Sequence, residues 1–214
     1  GRFPGPPCHA PAQARPARPD TSPDRPCALP TNTAWVVVRC ADPEAVVRAL
    51  RLRTVLPANW LAGLADTQRA GVFVSPPVDG WVLAVGADLR ADGGDFAAFV
   101  APLLERLGAS FGGAAWFLTD TDGERHGWAL ASRGELVRGY AFDGEHGHVF
   151  WHGEVTDAER ELDCFVDDPR DGSDDAIKWW PDRPLVEALA AAWSLDPRRL
   201  RGFAAAPATG WVGR

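Results

Sequence analysis

The sequence predicts an α+β fold: one mostly antiparallel sheet ending in a C-terminal four-strand meander, with helices packed on one face. Three observations carry this. Four β-type runs, AAWFLT, HGWALAS, ELVRGYAF and HVFWHGE, follow one another with only DTDGE, RG and DGE between them, and links this short join antiparallel neighbours. An apolar run, AWVVVRC at 34–40, precedes them as a further strand. Helical spacing separates pairs of strands in both halves of the chain, rather than alternating with single strands as a parallel sheet requires.

The elements can be justified in order. Residues 1–30 hold nine of the nineteen prolines, with four Arg and two Asp. A segment so rich in proline builds no core, so 1–32 is expected to be a disordered, basic tail. A domain over 33–205 follows. After the AWVVVRC strand, Asp42-Pro43-Glu44 supplies an N-cap and a proline at the first helical position, opening a helix to about Leu50. A short helical turn spans Asn59–Asp66. GVFVS (71–75) and GWVLAVG (80–86) read as a hairpin across a PPVD turn.

The spacing of Phe96, Phe99, Val100, Leu103 and Leu107 predicts a helix from Asp95, with Pro102 as a kink or restart and Gly108 as the stop. After the meander, Thr156-x-x-Glu159 is a capping box. Leu185, Leu189 and Trp193 then place a helix over about 183–193. Residues 206–214 are expected to be a flexible C-terminus.

Charge narrows the function. The net charge is −7, which disfavours a phosphate-backbone binder and so any nucleic-acid partner. From Glu154 to Arg183 eleven acidic residues stand against four basic ones, an imbalance equal to that of the whole chain. No stretch approaches transmembrane length and the N-terminus lacks a signal-peptide core. The four cysteines have no CxxC spacing. The expectation is a cytoplasmic protein with reduced thiols, no membrane partner and no cofactor.

Motifs that suggest chemistry are each met by a plainer explanation. HGHVFWH holds three of the five histidines. On a regular strand His146, His148, Phe150 and His152 share a side, with Val149 and Trp151 facing the core. Zinc needs three or four ligands in fixed geometry, and His148 and His152 are too far apart without a bend. A metal centre from His126, His148 and His152 therefore stands as the alternative. Gly108-Ala-Ser110-Phe-Gly112 matches G-x-S-x-G, but a nucleophile elbow needs strand before serine and helix after, the reverse of the order here. Asp120-Thr-Asp122-Gly123 resembles a calcium-loop opening, yet lies between strands as a turn.

The tryptophans point elsewhere. Ten are present. Trp179 and Trp180 are adjacent, follow the acidic DDPRDGSDD loop and precede Pro181, so one is a candidate interface anchor.

At GVFVSPPVDGWVLAVG, HGWALASRGELVRGYAFDGE, GEVTDAERELD and AAAWSLDP, over roughly residues 33–200, the sequence resembles a family of uncharacterised bacterial proteins. By its size, acidic balance and lack of catalytic motifs it is similar, at the level of class alone, to immunity proteins of bacterial toxin systems. That resemblance implies no catalytic residue. The expected function is a non-catalytic interaction domain, of the immunity-inhibitor type, meeting the basic surface of a toxin. Its contacts would be Glu161, Asp167, Asp168, Asp171, Asp174 and Asp175, with Trp179 or Trp180 as anchor. A small metal-dependent hydrolase built on the histidines, or a ligand module built on exposed tryptophan, are the alternatives.

Overall fold

A computed structural model describes residues 22–91, 95–165, 180–204 and 209–214. The strands are β1 (Thr33–Arg39), β2 (Leu56–Ala58), β3 (Val72–Val74), β4 (Trp81–Val85), β5 (Gly113–Asp120), β6 (Arg125–Ser132), β7 (Glu135–Asp143), β8 (Gly147–His152) and β9 (Gly210–Gly213). The helices are α1 (Pro43–Leu50), α2 (Trp60–Asp66), α3 (Ala101–Phe111), α4 (Asp157–Glu161) and α5 (Arg183–Trp193). The strands form one sheet in the order β2-β9-β3-β4-β1-β5-β6-β7-β8, and every pairing is antiparallel. This is the expected α+β class, and β5 to β8 are adjacent as a meander.

Helices cover both faces, not one. Ala34, Val36 and Val38 of β1 join a core with α1 and α3, which contribute Val46, Val47, Leu103, Leu104 and Leu107. Trp35 and Val37 join a second core with Trp60 and Leu64 of α2 and Val186, Leu189 and Ala190 of α5. We call these the first and second faces. Because β1 lies at the centre of the sheet and is buried on both sides, its sequence is apolar from Ala34 to Val38 rather than alternating.

Local chemistry explains most boundaries. Asp42 caps α1 by accepting from Glu44 N–H at 3.0 Å, and Asn59 caps α2 by accepting from Ala62 N–H at 2.8 Å. Pro102 does mark a restart: Phe96–Val100 is a π-helical turn and α3 begins at Ala101. Proline has no N–H to give the preceding turn, and the wider π turn absorbs the break. Gly108 is not the stop. It lies inside α3 where a Cβ would come within 3.3 Å of Ala131 and Gly134, so its small size lets the helix approach β6 and the β6–β7 turn. The helix ends instead at Gly112, whose φ of +81° is the left-handed C-cap conformation.

Part of each expected chain end is corrected, while residues 1–21 and 205–208 lie outside the described residues. Residues 22–32 lie against the fold: Leu29 is buried in the second-face core, and Thr31 O accepts from Thr119 Oγ at 2.9 Å. At the other end Gly210–Gly213 is no flexible tail but a strand inserted between β2 and β3. A four-residue GWVG strand carries too little pattern to be recognised alone; its stability comes from two neighbours pairing with it at once.

Candidate functional site

The meander carries most of the chain's chemistry on its second face. Arg138 of β7 and Glu159 of α4 are both fully buried. Arg138 Nε–H donates to Glu159 Oε1 at 2.9 Å and Oε2 at 3.0 Å, and Trp128 Nε1–H donates to Oε1 at 2.7 Å. Thr156 N–H donates to Oε2 at 2.7 Å, completing the capping box that opens α4. Arg138 Nη1–H donates to the carbonyls of Gly139 and His152 at 3.0 and 2.9 Å. The guanidinium carbon stands 4.2 Å from the centre of the Trp151 ring. Burial pushes the Arg138 pKa down, and the Glu159 carboxylate opposes this. Burial also pushes the neighbouring Cys164 thiol up to about 12, which keeps it neutral.

This network was not anticipated from the sequence. Its signal was an arginine in ELVRGYAF alternating with Tyr140 and Phe142, both core residues of the second face. A charge on a buried face needs a partner, and that partner lay twenty-one residues away.

The histidines are not brought together. A register shift between Ala141 and Phe142 leaves His148 opposite Phe142 and Phe150 opposite Ala141. The bulge turns the second half of β8 over. His148 and Trp151 then lie on the second face with Tyr140, while Phe150 packs into the first-face core. His152 pairs with Gly139, and its exposed Nε2–H donates to Leu136 O at 3.0 Å. The expected pairing of Val149 with Trp151 on one face fails for the same reason, because Val149 packs against the first-face core.

His126 and His148 are both opposite Phe142, from β6 and β8. Their backbones are thus two strand spacings apart, about 9–10 Å, with Phe142 between them. Among the described residues His126, His148 and His152 do not form a group of ligand atoms close enough to share an ion. The His148 ring has its own partner, with Nδ1 2.7 Å from the Tyr140 hydroxyl. Burial lowers the His148 pKa and raises that of Tyr140, so the pair meets in its neutral form. Burial lowers the pKa of His126 as well, against the pull of Asp182, Asp120 and Glu124. His146 belongs elsewhere: its Nδ1 is 3.1 Å from Asp143 Oδ1 at the β7–β8 turn.

The other motifs are structural. Ser110 lies within α3 and its hydroxyl donates to Arg106 O at 2.9 Å. Asp120 accepts from Gly123 N–H and pairs with Arg125, so the β5–β6 turn is closed by its own side chains. Burial alone would raise the Asp120 pKa, but those donors hold it below the usual carboxylate range.

A charged surface does form where the two hairpin turns meet. Asp122, Gly123 and Glu124 of one tip and Asp143, Gly144 and Glu145 of the other line an open cleft of about 560 Å³. Gly144 N–H donates to Glu124 O at 3.1 Å, tying the tips together. Asp143, Glu145 and His146 bring three potential ligand atoms within 4.8 Å of one another, though Glu145 and His146 are exposed.

Trp180 is 53% exposed, and its ring meets Phe142 edge-on at 5.0 Å, next to these tips. It is thus not packed away beneath α5. Of the expected contact residues, Glu161 is exposed at the end of α4. Asp167, Asp168, Asp171, Asp174, Asp175 and Trp179 lie outside the described residues.

The chain matches no protein-family model, no curated protein and no solved structure. Among the described residues no helix is long and apolar enough to cross a membrane.

Proposed function

We propose that this chain is a non-catalytic interaction domain that meets a basic protein partner through its acidic hairpin tips, with Trp180 as the apolar anchor. An immunity-type inhibitor of a basic toxin is the class this fits. The observation that carries the reading is a half-exposed tryptophan packed on Phe142, next in the chain to Asp143 of the tips that also carry Asp122, Glu124 and Glu145. Aromatic anchors ringed by charge are where interfaces concentrate their binding energy, and complementary charge speeds encounter and sets orientation. The acids of the 167–175 segment would extend the same surface.

The test is affinity capture of the tagged chain at low and moderate salt, run beside Trp180→Ala and an Asp122→Asn/Glu124→Gln/Glu145→Gln triple variant. A basic protein retained by the native chain, weakened by salt and lost from both variants, is the expected result. Retention equal in all three, or no retained protein, overturns the reading. Inhibition of the captured protein's activity by the purified chain then separates an inhibitor from a scaffold.

A further inference from the structure

The geometry points to a binding site for a small aromatic carboxylate at the opposite end of the second face, roughly 20 Å from the acidic tips along β5. Here the register sets Arg39 beside Trp81, Val37 beside Ala115, Ala115 beside Leu130, and Gly113 beside Ser132. Val37, Ala115 and Leu130 belong to or pack against the second-face core. By strand alternation Gly113 and Arg39 lie on that face too. Gly113 contributes no side chain and Ala115 only a methyl group, so β5 is a trough between the larger Trp81 and Leu130. Helix α5 covers the middle of the face and stops at Trp193, which becomes one wall of the opening.

The resulting cavity is about 300 Å³, at the lower end of the roughly 300–1,000 Å³ typical of small-molecule sites. Three aromatic residues, Trp81, Trp193 and Phe111, stand in its lining, and among the described residues Arg39 is the one charged residue there. The Arg39 guanidinium lies over Trp81, 5.4 Å from the ring centre. It is exposed, and among the described residues no carboxylate pairs with it. The Ser194 hydroxyl already donates to Ala190 O at 2.9 Å.

These features define the ligand. A flat ring seats over Gly113 and Ala115 against the aromatic walls. Its carboxylate meets the planar fork of Arg39 at the mouth. The site is independent of the acidic-tip surface, and neither stands or falls with the other.

Calorimetric titration of the full chain with indole-3-acetate, beside its neutral amide indole-3-acetamide, tests this. The acid is expected to bind saturably at one site, and the amide roughly two- to fivefold more weakly, the scale of a solvent-exposed ion pair. Arg39→Gln should bring the acid down to the level of the amide. Gly113→Val should abolish binding by filling the trough. A Cβ at Gly113 meets nothing closer than Ala131 O at 3.7 Å, so the fold should tolerate it, and an unchanged melting temperature verifies that. No saturable heat with the native chain overturns the proposal. So does equal binding of acid and amide, or undiminished binding to a folded Gly113→Val variant.

Discussion

Strand β7 contributes Arg138 and Asp143, five residues apart, to two side-chain pairs that do different work. Arg138 meets Glu159 at 2.9 Å with neither side chain exposed. Asp143 meets His146 at 3.1 Å, with the two side chains 19% and 66% exposed. The distances barely differ; the surroundings do. Between Arg138 and Glu159 the charges have lost their water, so each depends on the other and on Trp128, Thr156 and two carbonyls. Between Asp143 and His146 water competes throughout, and the pair shapes a turn tip without bearing on the core. Contact distance says little about an ion pair until burial is known.

Variants can break or sharpen that contrast. The largest effect is expected from Glu159→Ala, which strands Arg138 in the core and should cost about 3–5 kcal/mol of unfolding free energy. Replacing both partners by leucine should restore a substantial part of that loss. Urea denaturation of the single and double variants measures both, and a double variant as unstable as the single would mean that volume, not charge, holds this site.

Next is Trp128→Phe, which removes one donor to the buried carboxylate while keeping an aromatic ring. A loss of about 1.5–3 kcal/mol is expected in the same assay.

The pH dependence comes third. His126 and His148 have pKa values depressed by burial in the folded state, so at mildly acidic pH the unfolded chain binds more protons than the folded one. Their contribution is fully present above the unfolded histidine pKa, near 6.5, and is lost as pH falls from there through the folded values. Melting temperature should therefore decline from pH 7 to pH 5, and less so in His148→Gln. An identical slope in that variant would remove His148 from the account.

The smallest effect is expected from His146→Ala, within about 0.5 kcal/mol. Burial alone would raise the Asp143 pKa, but the His146 ring and two backbone N–H groups hold it below the ordinary range. An NMR titration of Asp143 should show that pKa rising toward the usual carboxylate value when the ring is removed.

Much of the fold was legible because its signals are local. Asp42 and Pro43, Asn59, the capping box at Thr156 and Glu159, and the Arg133-Gly134 turn, with φ of 50° and 90°, each act within a few residues of themselves. The two-sided core had a local signal as well: AWVVVR does not alternate, as a strand with one wet face would. The candidate sites were less legible. Trp180 stood out by its neighbours in the chain, but its partner Phe142 and the acidic tips beside that residue come from hairpins distant in sequence.

The sequence by itself determined most of the stretches that become strands and helices, where most of those start, and that the body is acidic. Those properties follow from backbone preference and side-chain periodicity, whose range is one or two turns of chain. Only the tertiary structure decided that GWVG completes the sheet between β2 and β3, that a bulge in β8 scatters the histidines, and that Arg138 finds Glu159. It also opened the trough at Gly113 by ending α5 short of it. Each of these depends on register and on what packs across the sheet, where segments far apart in the chain settle together where side chains go.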